Sequence, residues 1–132
     1  MKILIHDNTT ISEVQKRFNE LFPYLKLEFF RKQYPHKPGA LRFLPQNEKL
    51  GNIRKKHFNG ELDVLPGMQV SQLESLFTDH FDLEVQVLRK SGSSWLETIL
   101  TDSWTLQEQN KEGEFLSSRI RPEIPDPDQD ID

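Results

Sequence analysis

The sequence predicts an α+β domain in which a βαββ(α) unit occurs twice. Three observations predict it. Two amphipathic stretches, residues 11–22 and 70–81, carry the same apolar spacing. Each runs directly into an alternating segment, 25–29 and 83–88. Each follows a short β-rich run, Lys2–His6 and Glu61–Leu65. The resulting order contains βαββαβ, the ferredoxin-like pattern. In that pattern a mixed or antiparallel sheet carries two long helices on one face, set there by right-handed crossovers.

The first strand is Lys2–His6, with Ile3 and Ile5 on one side. Asp7-Asn8-Thr9-Thr10 is a turn cluster. Ile11, Val14, Phe18, Leu21 and Phe22 then share one face of a helix. Ser12 with Gln15, or Thr10 with Glu13, supplies its capping box. Pro23 stops it. Leu25-Lys26-Leu27-Glu28-Phe29 is a strand with one buried and one polar face. The stretch 33–39, QYPHKPG, reads as a loop, and 40–44 as a short returning strand. Asn47 caps a short helix carrying Leu50 and Ile53, with cations Arg54, Lys55 and Lys56 in its last turn.

The second pass matches the first at a constant offset, pairing Ile11 with Val70, Val14 with Leu73, Phe18 with Phe77 and Phe22 with Phe81. Ser71 and Glu74 repeat the capping box. The following strand aligns with the offset shortened by one, as if the Pro23-Tyr24 corner were the longer of the two. Ser91-Gly92-Ser93 is a tight turn and 95–100 the returning strand. Asp102 or Ser103 caps a last short helix through Leu106, and Gly113-Glu114-Phe115 opens an edge strand. Residues 1–121 thus form one domain with halves 1–59 and 60–118. Residues 122–132 carry three prolines and five acids without a base, the composition of a flexible acidic tail.

Composition bounds the function. There is no cysteine, which excludes disulfides, thiolate metal sites and cysteine nucleophiles. No run of about 18 apolar residues is present, so no membrane span is expected. The apolar start is too short for a signal peptide. These features fit the cytoplasm. Net charge is −4, but residues 26–57 hold nine Lys/Arg against two acids, +7, leaving −11 elsewhere.

That basic segment is the sharpest chemical feature. Arg31, Lys32, Lys37, Arg42, Arg54, Lys55 and Lys56 are interleaved with Tyr34, His36 and Phe43. Cations that neutralise phosphates beside aromatics that stack on bases suit single-stranded nucleic acid. A solvated loop balancing an acidic remainder has the same composition. The aromatic platform of an RRM is missing, and the pI near 5.6 is low for a dedicated nucleic-acid binder. His6, His36, His57 and His80 are scattered, so no metal or cofactor is expected. G-x-S-x-G and phosphate-loop patterns are missing, and enzymatic activity is not expected. Phe30 and Leu88 sit at equivalent outward positions of the two strands, where paired apolar residues mark an interface. Trp95 and Trp104 are core or rim aromatics, or line a docking edge. The reading is a small non-catalytic binding module that engages a protein partner, or itself, through the open sheet face or an edge. The alternative is a nucleic-acid or anionic-ligand binder using the segment 31–57.

Overall fold

The computed structural model describes residues 1–31 and 42–119. The elements are β1 (Lys2–Ile5), α1 (Ile11–Leu21), β2 (Leu25–Phe30), β3 (Gly60–Asp63), α2 (Val70–Phe81), β4 (Glu84–Ser91), β5 (Ser94–Glu97) and α3 (Leu106–Arg119). Single 3₁₀ turns at Leu50–Asn52 and Ile99–Thr101 punctuate the connections. The α+β class stands. Among the described residues no helix is long and apolar enough to cross a membrane.

The strands divide between two antiparallel sheets, which differs from the single sheet of the ferredoxin-like pattern. β1 pairs with β3, and β2–β4–β5 form the second sheet. In a ferredoxin-like sheet the strands preceding the two helices lie parallel; here they run antiparallel, Ile3 opposite Leu62. Alternation tells a strand which face is buried, and does not tell it its neighbour.

Both pairings are centred on residues that the offset between the two stretches aligns. Ile3 faces Leu62, its own counterpart in the second half, and Glu28 likewise faces its counterpart Gln86. An antiparallel pair centred on equivalent residues is what a local two-fold axis generates. The connecting segments follow the same relation. Ile11 and Ser12 donate their backbone N–H groups to Glu48 and Gln46, each at 2.9 Å. Val70 and Ser71 donate to Trp104 and Asp102 at 3.0 and 2.9 Å. Leu50 and Gly51 donate to Thr9 and Asp7, as Leu106 and Gln107 donate to Met68 and Pro66. At both helix starts a returning segment satisfies the orphan N–H groups.

One core lies between the elements. Ile3, Ile5, Leu62 and Val64 meet Leu25, Leu27, Phe29, Val85 and Val87, with Val14, Phe18, Leu73 and Phe77 from the helices. Phe29 and Phe77 stack edge to face at 5.8 Å, a favoured aromatic geometry. Leu50 and Leu106, equivalent in the two returning segments, are both fully buried.

Several local expectations are corrected. α1 uses the Thr10/Glu13 capping register: Glu13 N–H donates to Thr10 Oγ1 at 3.2 Å and Thr10 N–H to Glu13 Oε1 at 2.8 Å. α2 starts directly after Gln69, whose N–H donates to Gln72 Oε1, so Ser71 and Glu74 lie inside the helix. α3 is capped by Thr105 and Glu108 in place of Asp102 or Ser103. Gly113–Phe115 is mid-helix, not a strand. Gly113 is where α3 crosses the chain: a Cβ there would lie 2.9 Å from Tyr24 Cβ and 3.0 Å from its carbonyl oxygen. The helix expected after Asn47 is reduced to the turn Leu50–Asn52, and of the strand expected over 40–44, Phe43 forms an isolated bridge to Phe30. Residues 40 and 41, and the tail 122–132, lie outside the described residues.

The polar rows of β2 and β4 are not a solvated face. Glu28 and Gln86 are both buried. A buried polar group must be hydrogen-bonded, and these are. Gln15 Nε2 donates to Leu27 O at 2.7 Å and Glu28 Oε1 at 3.1 Å. Lys26 Nζ closes on Glu28 Oε2 at 2.8 Å. Gln86 Nε2 donates to Val87 O at 3.1 Å.

Candidate functional site

The feature with most left to do is β5. It hangs on β4 through a turn in which Gly92 takes φ 62°, a left-handed value that suits glycine. Lys90 N–H donates to Tyr24 O, so the even-numbered residues of β4 bond towards β2. The odd-numbered ones, Arg89 and Ser91, therefore bond towards β5, opposite Leu96 and Ser94. That parity turns the N–H and C=O groups of Trp95 and Glu97 outward, to the free edge. Among the described residues no partner meets them.

Pairing between β4 and β5 stops at Leu88. Val87, one step beyond, has the same outward parity, and side chains take its peptide groups. Glu74 Oε2 accepts its N–H at 3.2 Å, and Thr98 Oγ1 donates to its C=O at 2.8 Å. Burial, with a smaller contribution from the nearby Asp102 charge, pushes the Glu74 carboxyl up to about 7 against the pull of that N–H.

Every residue of β5 is exposed. Trp95 and Leu96 stand 36% and 41% exposed, and Ile99 and Leu100 just beyond are 53% and 98% exposed. Such a run has apolar side chains on both faces of the strand and after it. Trp95 is held in place by Lys26 Nζ and Lys90 Nζ, each 5.8 Å from its ring centre, a cation–π arrangement. Arg89 lies over Trp104 at 5.7 Å and donates through Nη1 to Gln109 Oε1 at 3.0 Å. Gln109, fully buried, donates through Nε2 to both the carbonyl and hydroxyl oxygens of Thr101 at 2.8 Å. The segment after β5 is thus anchored from beneath while its apolar side chains face out.

The other sequence-predicted residues scatter. Leu88 is buried and Phe30 half-buried against Phe43, so that pair offers little surface. Trp104 is 37% exposed. Arg31 and Arg42 are exposed, and Lys32 and Lys37 lie outside the described residues. Arg54 is different in kind: its side chain is 0% exposed. Its guanidinium donates to Asp7 Oδ1 from Nε and Nη2, to the carbonyls of Phe58 and Phe81 from Nη1, and to Asn59 Oδ1. All three nitrogens are engaged within the fold, which leaves none for a ligand. Lys55 and Lys56 keep exposed side chains, while their backbone N–H groups both donate to Asp82 Oδ2 at 2.9 Å. Those N–H groups, Lys56's foremost, hold the Asp82 carboxyl below its usual range. Asp7 is also held low, first by His57 Nδ1 at 3.0 Å and then by Arg54.

A shallow groove of about 340 Å³ runs from α1 to Trp95, lined by Ser12, Gln15, Lys16, Lys26 and Gln46 among others. Among the described residues no group of three or more His, Asp or Glu could hold a metal ion. The alternation rule hides an edge like β5, because it looks for one buried face. The signal present in the sequence is its breakdown: Trp95 and Leu96 are apolar at consecutive positions, as are Ile99 and Leu100. Comparison with protein-family models, curated proteins and solved structures gives no match to this chain.

Proposed function

We propose that the protein is a small, non-catalytic interaction module that binds an extended protein segment as an added strand along β5. The observation that carries this is the outward row of peptide groups at Trp95 and Glu97, flanked by exposed Trp95, Leu96, Ile99 and Leu100. Backbone bonds supply affinity in strand addition, and alternate side chains supply selectivity. An edge strand that stays solvated is normally blunted by proline, inward charge or a bulge. Ser94–Glu97 is short and carries Glu97, but it has no proline or bulge and pairs regularly with β4. The cysteine-free composition suits a cytoplasmic partner.

The test is a selection of extended peptides from a displayed library against the full chain, followed by binding to two variants. Leu96→Lys alters the edge without touching the core and is expected to weaken selected peptides by at least about tenfold. Leu4→Lys, an exposed position on the other sheet, is expected to leave them unchanged. Peptides that bind both variants like the parent would place recognition elsewhere.

A second reading is favoured by the two ammonium groups beside Trp95. In it an anionic ligand or single-stranded nucleic acid uses Lys26 and Lys90 with exposed Arg31, Arg42, Lys55 and Lys56. Binding of a single-stranded RNA would then fall with salt at a log–log slope near −0.7 per phosphate contacted. A flat salt response would dismiss it. The equivalences between residues 1–59 and 60–118 also lead us to propose that the halves descend from one duplicated unit.

A further inference from the structure

We propose that the segment β5 accepts is β5 of a second copy of this chain, antiparallel, about a two-fold axis through Leu96. This rests on the strand-addition reading and names the partner. The strand is short, and its outward peptide groups belong to Trp95 and Glu97, symmetric about Leu96. A two-fold axis at Leu96 therefore sets Trp95 of one copy opposite Glu97 of the other in a hydrogen-bonded pair, and does so twice. Leu96 then meets Leu96 of the second copy in the narrower, non-hydrogen-bonded spacing, about 4.5 Å between Cα atoms. No other register satisfies both outward residues with both of their symmetry mates.

The side chains suit that register. Leu96 lies on the face of β5 shared with Arg89, and the Leu96 pair buries apolar surface that is 41% exposed in the single chain. Trp95 and Glu97 lie on the other face, and Lys90 stands directly across β4 from Trp95. Along one cross-strand row the order becomes Lys90, Trp95, then Glu97 of the second copy. The Lys90 ammonium lies over the Trp95 ring, 5.8 Å from its centre. Each copy thus offers a cation and an anion where the other offers their complements, with an aromatic ring between them. The product is a continuous six-stranded antiparallel sheet, β2–β4–β5 twice over. Ile99 and Leu100, immediately after β5, extend the apolar contact beyond the paired residues.

Sedimentation equilibrium of the full chain tests this, with charge exchange as the control for register. The parent is expected to be a concentration-dependent dimer. Leu96→Lys places two ammonium groups together on the axis and is expected to weaken dimerisation at least about 100-fold. Lys90→Glu and Glu97→Lys each put like charges at the two ends of that row, across Trp95, in both symmetry-related places, and are expected to weaken it about twofold to threefold. The double variant, with the charges exchanged, is expected to recover the parent's affinity. None of the three positions belongs to the core, so far-UV circular dichroism should be unchanged, as should the thermal midpoint at concentrations where the parent is monomeric. A parent still monomeric at about 1 mM would overturn the self-pairing. So would a dimer indifferent to Leu96→Lys, or one that the double variant fails to restore. Peptide selection separates the two claims: a monomeric parent whose selected peptides are lost in Leu96→Lys removes the self-pairing and leaves strand addition intact.

Discussion

Gln15 on α1 and Glu74 on α2 occupy equivalent places and face equivalent strands, yet one is an amide and the other an acid. Gln15 donates inward to Leu27 O and Glu28. Glu74 accepts from Val87 N–H, beyond the last pair of β5. The same exchange recurs around them: Lys26 against Glu84, and Gln46 against Asp102. The first flank is cationic and amide-lined, and the second is acidic. Further along, Arg54 and Asn110 stand at equivalent positions, the same distance past Leu50 and Leu106. Arg54 fastens the end of α2 through Phe81 O, and Asn110 Oδ1 fastens the corner after α1 by accepting from Tyr24 N–H. Each half therefore locks the helix–strand corner of the other. The first half does it with a buried cation after a single turn, the second with an amide on a full helix. The difference teaches where freedom lies. Among the described residues the cores and ties recur in both halves, while the tie of the first half follows a single turn and that of the second sits on α3.

Breaking the two ties should expose that asymmetry most strongly. Arg54→Ala leaves Asn59 and two carbonyls without their donor and Asp7 with His57 alone, and is expected to cost about 2–4 kcal/mol in denaturant unfolding. Asn110→Ala removes one accepted hydrogen bond and is expected to cost about 1 kcal/mol. Equal losses would mean that the cation is no more than a substitute for the amide. Arg54→Lys should recover little, because a point charge cannot make the forked contacts to Asp7 and the carbonyls.

Next in size is the close crossing of α3 over Tyr24. Helix propensity alone makes Gly113→Ala favourable by about 1 kcal/mol. With a Cβ only 2.9 Å from Tyr24 Cβ and 3.0 Å from its backbone oxygen, the variant is instead expected to lose about 1–3 kcal/mol. A stabilised Gly113→Ala would show that α3 does not bear on the first half there.

A smaller, pH-dependent effect concerns Glu74. Its folded pKa of about 7 lies above the ordinary value of 4.5. A carboxyl raised on folding contributes stability that is complete below pH 4.5 and is lost as pH rises through about 7. Because the side chain is partly solvated, the loss is expected to be about 1–2 kcal/mol, discounted for screening. Glu74→Gln, which restores the residue type found at Gln15, should abolish that slope and be the more stable protein at pH 8. Parallel stability–pH curves for parent and variant would contradict the burial of this carboxyl.

Much of the framework is legible in the sequence because it is local or periodic. Ile11, Val14 and Phe18, with their counterparts Val70, Leu73 and Phe77, are all buried as their spacing requires. Strand partnership is not legible, because Leu27 opposite Val87 is a long-range choice among equally apolar faces. Arg54 reads as one more cation of a basic run, since nothing local marks the distant Asp7 as its partner. Gly113 reads as the opening of an edge strand, because Gly113-Glu114-Phe115 resembles Gly60-Glu61-Leu62 and nothing local marks the crossing over Tyr24. The candidate edge is half legible: Trp95 stands out, while Leu96, Ile99 and Leu100 read as parts of an ordinary returning strand.

The most direct measurement of β5 as a free, usable edge is residue-resolved amide hydrogen exchange across a dilution series. In dilute protein Leu96 N–H, bonded to β4, should be protected, while Trp95 and Glu97 N–H groups exchange freely. On concentration, both should gain protection together as the second copy adds its strand. Trp95 and Glu97 amides already as slow as Leu96 in the dilute chain, or still fast when the protein is concentrated, would contradict it.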